Sequence, residues 1–259
     1  MQVIADDGVE LQVSVDGPAA GPPILFLHSI GCDRAMWRGQ ADALAGRRVI
    51  RPDLRGHGDS AAPAGEYGLD RLARDVVAIL DALKVERTVI CGISLGGLVA
   101  LEMALRAPGR VLGLVLANTS ARIGSRDAWA DRARAALDEG LATIADLAMT
   151  RFFSDAFRRA HPTTVSMFRE RLLATPADGY AGCCAALRDA DLRGEVGAIA
   201  CRALVIGGRL DVSTPAEQTL ALAGDIAGAR YVELNAAHLS NVEQPDAFNA
   251  ALLRYLEGL

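Results

Sequence analysis

The sequence predicts an α/β protein: a mostly parallel sheet covered by helices on both faces, with one helical insert. Three observations lead there. Short apolar runs alternate with helical stripes along most of the chain, which is the rhythm of strand–helix–strand units. Runs such as Ile24 to Leu27 and Val111 to Leu116 are nearly continuously apolar, as strands buried on both faces are. The rhythm stops once, between about 121 and 192, and then resumes.

Taken in order, residues 1–16 read as two short strands around Asp7-Gly8, an antiparallel hairpin. Pro22-Pro23 mark a loop, and Ile24 to His28 is the first buried strand. After a turn comes a helix over 34–45 that carries Trp37. Residues 47–53 form a further strand, and 53–63 a loop rich in glycine and proline. Over 69–84, Leu69, Leu72, Val76, Ile79, Leu80 and Leu83 fall on one helical stripe. Val89 to Cys91 end a strand, Leu98 to Ala107 form a helix, and 111–119 is another strand. In 121–192 arginine, alanine and leucine dominate, with Pro162 and Pro176 as breaks; this reads as several helices inserted as a unit. Residues 203–208 are a strand. A helix follows Pro215 with Thr214 as its N-cap, 231–235 is a strand, and 245–257 is the last helix. The division expected is core over 1–120, helical lid over 121–192 and core again over 193–259, with eight strands in the sheet.

Composition narrows the function. The chain has 259 residues, enough for a large core, and is 51% hydrophobic and 23% charged. Its net charge of −5 argues against nucleic-acid binding, which needs a basic face. No uncharged apolar run of membrane-spanning length occurs, so no membrane partner is expected. No basic stretch followed by an apolar run opens the chain, so no secretory leader is expected either. The five cysteines are an odd number without metal-ligand spacing, Cys183 and Cys184 being adjacent. Reduced thiols in a cytoplasmic protein, with no metal and no cofactor, is the expectation.

The chemistry is carried by Gly92-Ile93-Ser94-Leu95-Gly96, which lies between a strand and a helix. That context makes the pattern a nucleophile elbow, a tight turn in which flanking glycines relieve crowding around a strained serine. A serine hydroxyl needs a base, and the base an orienting acid. Of the four histidines, only His238 lies near the C-terminus past a strand end, where the base belongs in the order serine, acid, histidine. Asp211 directly follows the strand over 203–208. Glu217, Asp225 and Glu233 compete with it, but none sits at the C-terminal end of a strand. The oxyanion of a tetrahedral intermediate needs two donors. The Leu95 N–H is one, and the Ile30 N–H, in the loop after the first buried strand, is the other. Ser29 stands in that loop where a glycine is usual. His57, in the glycine-rich loop, is expected to shape the fold without taking part in chemistry.

The stretches Gly92–Gly97, Asp53–Ser60, Gly208–Pro215 and Ala236–Pro245 together resemble those of the α/β-hydrolase fold family. Within the insert, Asn118–Gly124, Trp129–Arg132, Arg151–Phe153 and above all Gly179–Arg193 resemble the 3-oxoadipate enol-lactonases, bacterial enzymes of aromatic degradation. Arg209, before the acid, is longer than the residue related chains often carry. The resemblance implies hydrolysis of a small anionic lactone in the β-ketoadipate pathway. An anionic substrate calls for a local cation despite the overall negative charge. Arg126, Trp129 and Arg132, at i, i+3 and i+6, are expected along one helical stripe; Trp129 would pack on the ring and Arg132, or Arg126, would take the carboxylate. Another small-ester or carbon–carbon bond hydrolase of this fold, or a non-catalytic ligand receptor, would carry the same core. A dehalogenase would not, since it needs an aspartate where Ser94 stands.

Overall fold

Eight strands form one sheet in a computed structural model that describes all residues, Met1 to Leu259. In chain order the elements are β1 (Gln2–Ile4), β2 (Glu10–Asp16), β3 (Pro23–Leu27), α1 (Arg38–Ala43), β4 (Arg48–Pro52), α2 (Leu69–Ala82), β5 (Thr88–Ile93), α3 (Leu95–Arg106) and β6 (Val111–Ala117). Five helices follow: α4 (Arg126–Asp138), α5 (Ala142–Phe152), α6 (Asp155–Ala160), α7 (Pro162–Ala174) and α8 (Ala177–Asp189). The chain closes with β7 (Ala203–Gly208), α9 (Ala216–Asp225), β8 (Arg230–Leu234), α10 (Ser240–Glu243) and α11 (Pro245–Glu257).

The strand order is β1-β2-β4-β3-β5-β6-β7-β8. The hairpin strands pair antiparallel, and β2 joins β4 antiparallel. From β4 through β8 every pairing is parallel. Residues that follow β3 to β8 in the chain therefore emerge at one edge of the sheet, the usual place for a ligand crevice. All residues of β5 and β7 are buried, which is why those runs are apolar without alternation. The stripe on α2 is buried from Leu69 to Leu83 as its periodicity requires.

Three elements differ from expectation. Residues 34–45 do not form one helix: a 3₁₀ turn over Arg34–Trp37 precedes the short α1. Asp33 caps the turn by accepting the Ala35 N–H, and the tighter winding accompanies burial of Trp37 against Phe26 and Phe248, at centroid distances of 4.8 and 5.9 Å. The helix after Ser94 begins at Leu95, three residues earlier than its apolar run suggests, and takes Gly96 and Gly97 into its first turn. Pro215, not Thr214, occupies the N-cap of α9, because the Thr214 hydroxyl is committed to Asp211.

The 121–192 segment is helical, and its two prolines start helices: Pro162 opens α7 and Pro176 caps α8. It is tied to the core by backbone bonds from Leu239 N–H to Phe152 O (3.0 Å) and Tyr67 N–H to Gly182 O (3.1 Å), and its two ends are joined by Leu192 N–H to Ala121 O (2.9 Å).

Candidate active site

Ser94 sits between β5 and α3 at φ 56°, ψ −119°, a backbone conformation that L-residues rarely adopt. The surrounding chain holds it there. Its N–H is shared between Ala117 O and Asn118 O, each at 3.1 Å, and its carbonyl accepts the Thr119 hydroxyl at 2.9 Å. The flanking glycines allow the turn. A Cβ on Gly92 would lie 2.2 Å from Gly96 O, and a Cβ on Gly96 would lie 2.2 Å from Leu27 O. The Leu95 N–H is the first of α3, a turn whose N–H groups have no intrahelical acceptor.

Asp211 and His238 meet after β7 and β8. His238 Nδ1 donates to Asp211 Oδ2 at 2.8 Å, leaving Nε2 without a partner in the protein. Thr214 donates its hydroxyl to the same oxygen (2.7 Å), and Asn118 its Nδ2 (2.9 Å). The backbone N–H groups of Ser213 and Thr214 reach Oδ1 at 2.8 and 3.1 Å. Burial pushes the Asp211 carboxyl up, but the His238 imidazole and the bonds from His238, Thr214 and Asn118 outweigh it, so the carboxylate stays below its ordinary range. Asp211 is thus kept charged and fixed, and it sets His238 in the tautomer with the proton on Nδ1. His238 also stacks on Phe152 of α5, with centroids 6.2 Å apart and planes 19° from parallel.

Ser94 and His238 line one cavity of about 320 Å³, together with Ser29 and Ile30. The Ile30 N–H makes no hydrogen bond within the protein. The Ser29 hydroxyl is buried and also without a partner. The far wall is helical: Trp129, Arg132, Arg151 and Phe152 come from α4 and α5. The Arg132 guanidinium lies 5.4 Å from the Trp129 ring and 5.6 Å from the Tyr180 ring. Neither Arg132 nor Arg151 forms an ion pair, whereas, exposed Arg159 apart, the other arginines of the same region do. Burial, and then repulsion from Arg132, lowers the Arg151 pKa below the arginine norm. Two guanidinium groups facing one cavity without a carboxylate can receive an anionic ligand.

Arg126 is not brought into the site. Its guanidinium pairs with Asp189 of α8 at 2.7 Å, in a surface contact. A step of three residues drifts about 60° around a helix, so Arg126 and Arg132 point about 120° apart. Arg209 also lies away from the cavity, bonded to Asn235 Oδ1 at 2.7 Å. Sequence reasoning overlooked Asn118 and Arg151. Asn118 had a signal, a polar residue closing an apolar strand at the ligand edge of the sheet, and it adopts a positive φ of 43°. Arg151 lay within the Arg151–Phe153 stretch that carried part of the resemblance, but nothing in its local spacing set it apart from the other arginines of the insert.

The model of the alpha/beta hydrolase fold family matches residues 22–245. The chain is 39% identical over 245 residues to 3-oxoadipate enol-lactonase 2 of Acinetobacter baylyi, covering 94% of this chain and 92% of that one. It is 38% identical over 242 residues to 3-oxoadipate enol-lactonase 1 of the same organism, covering 93% and 91%. Among solved structures, the enol-lactonase from Burkholderia xenovorans LB400 superposes with a TM-score of 0.97 at 40% identity, covering 99% of this chain and all of that one.

Proposed function

We propose, from the premise that this chain belongs to the alpha/beta hydrolase fold family and is an ester-hydrolysing enzyme, that it opens the lactone ring of 3-oxoadipate enol-lactone to give 3-oxoadipate. The observation that carries this reading is the pairing of a serine and histidine floor with a wall bearing two unpaired arginines, in one cavity. Such a site suits an ester that is also an anion. The similarity to enol-lactonases over nearly the whole chain supports the choice of lactone.

In this reading Ser94 Oγ attacks the ring carbonyl while His238 Nε2 takes its proton. The charge that develops on the carbonyl oxygen is met by the Ile30 and Leu95 N–H groups. The ring C–O bond then breaks, His238 returns the proton to the departing enol oxygen, and the enol becomes a ketone. Water attacks the acyl-enzyme with His238 again as base, and the acid is released with Ser94 restored. Asp211 keeps the imidazole oriented and stabilises its cation. Arg132 and Arg151 hold the substrate's free carboxylate while Trp129 covers the ring. A place in the β-ketoadipate pathway follows from that substrate. A reducing cytoplasm as its compartment is supported by five free thiols. The test is to mix the protein with the enol-lactone and follow the loss of its ring absorbance. Turnover faster on the lactone than on 4-nitrophenyl acetate supports the reading, and lactone loss no faster than the spontaneous rate overturns it.

A further inference from the structure

Two buried histidines that the proposed reaction does not use lock two loops together beneath the cavity. His57 Nε2 accepts the Gly31 N–H at 2.9 Å, and His28 Nε2 accepts the Leu54 N–H at 2.8 Å. Each histidine thus binds the backbone of the other's loop. Their rings are 5.3 Å apart, and both are fully buried. A backbone N–H can only donate, so each Nε2 must offer a lone pair and each ring must be neutral. The remaining proton sits on Nδ1, which donates to Ser29 O in His28 (2.8 Å) and to Arg55 O in His57 (3.3 Å). Burial lowers the pKa of both, that of His57 to about 3, so the neutral forms persist.

The arrangement bears on the loop that carries Ile30. Ser29 O accepts the Cys32 N–H at 3.1 Å, and Gly31 turns the chain at φ +72°. Because His57 takes the Gly31 N–H, the orientation of the Ile30–Gly31 segment is fixed, and the Ile30 N–H is left without a partner at the cavity wall. We propose that His57 is a positioning residue, whose neutral imidazole sets the peptide geometry that presents the Ile30 N–H to the reacting carbonyl oxygen. This rests on the reading of Ile30 as an oxyanion donor given above. It assigns His57 more than a share in stability, because a donor displaced by a fraction of an ångström loses much of its effect on the transition state.

The experiment compares full-length His57→Leu, His57→Asn and His57→Gln on 4-nitrophenyl acetate and on the enol-lactone. Leucine removes the acceptor, asparagine is too short to place one at the Nε2 position, and glutamine can. His57→Leu is expected to lower kcat about 30-fold or more on both substrates with KM within about threefold, since one lost oxyanion donor costs about 10²–10³. His57→Gln is expected to recover at least about tenfold in kcat over the leucine and asparagine variants, in line with the same donor cost. A folded His57→Leu protein with a lower Tm and unchanged kcat overturns the proposal. Should the leucine variant fail to fold, equal kcat in the asparagine and glutamine variants overturns it. The ester keeps this outcome separate from the substrate reading: wild type that cleaves 4-nitrophenyl acetate but not the lactone refutes the lactone, while the His57 variants are still decided on the ester.

Discussion

Asp211 shows how single residues set the electrostatics of the cavity. A buried carboxylate is costly alone, and here it is met by His238, Thr214, Asn118 and two backbone N–H groups. Asp211→Asn keeps the shape but takes away the charge that holds the imidazolium, and kcat is expected to fall about 10²-fold or more. Ser94→Ala should lose at least about 10³ in kcat with an unchanged circular dichroism spectrum, and near-normal turnover in that folded variant would refute the nucleophile. The two cavity arginines make a different prediction. Arg132→Met and Arg151→Met should each cut kcat/KM on the enol-lactone about tenfold, equivalent to about 1.4 kcal/mol, and change it little on uncharged 4-nitrophenyl acetate. Equal losses on both substrates would show that they support the packing of the helical segment and do not read the substrate's charge. The buried histidines predict a dependence of stability on pH. His57 has its pKa lowered to about 3 in the fold, so between about 6.5 and 3 the unfolded chain binds a proton that the folded one does not. The resulting stability is complete above about pH 6.5 and is lost as the pH falls. Between pH 7 and 5 this one group should cost about 2 kcal/mol in urea unfolding, and His57→Gln should show a loss smaller by about that amount.

Among elements, the β5–α3 turn and the junction of α5 with the His238 loop place the site. Gly96 touches the Leu27 carbonyl so closely that an alanine there forces the backbone apart, moving Ser94 away from β3. At the other junction, the Glu243 carboxylate of α10 accepts the Ser154 N–H (3.1 Å), the Ser154 hydroxyl and the Ala237 N–H (3.2 Å). It thereby joins the start of α6 to the residue before His238. Glu243→Ala leaves these donors unpaired, and about 1–3 kcal/mol of stability should be lost in denaturant unfolding. A variant as stable as wild type would show that water replaces the carboxylate without cost.

Across the whole molecule, one ion network, buried at Arg55 and Asp75 and exposed at Asp6 and Asp7, ties the N-terminal hairpin to the core. Arg55, 3% exposed, donates to both oxygens of Asp75 on α2 (2.8 and 2.7 Å) and to Asp7 in the hairpin turn (3.0 Å). Arg71 pairs with Asp75 as well, at 3.1 Å, and with Asp6. The three aspartates lie close enough together to repel one another, and the two guanidinium groups pair with all three. Asp75→Ala would leave Arg55 with Asp7 as its one remaining carboxylate, and the expected loss is about 1–3 kcal/mol, read as a fall in Tm. Because Arg55 begins the loop that carries His57, the same change should also lower kcat on 4-nitrophenyl acetate.

The sequence by itself determined what depends on neighbours along the chain. Apolar runs and stripes marked the strands and α2, because a strand buried on both faces and a helix buried on one leave their period in the residues. The glycines around Ser94 marked the elbow, because part of the steric conflict they relieve is local: a Cβ on Gly92 would meet the Gly96 carbonyl, four residues on, although the one on Gly96 would meet Leu27 of β3. The order Ser94, Asp211, His238 at strand ends was legible too, since parallel strands deliver their C-terminal ends to one edge. Only the tertiary structure decided which distant groups meet. Asn118 reaches Asp211 across 93 positions of sequence, and Gly31 meets His57 across 26. Arg126 and Arg132 share a helix and a charge, yet Asp189 captures one and the cavity receives the other. Those outcomes depend on helix rotation and on which charges happen to face across a packed interface, and neither is set by residue type or local spacing.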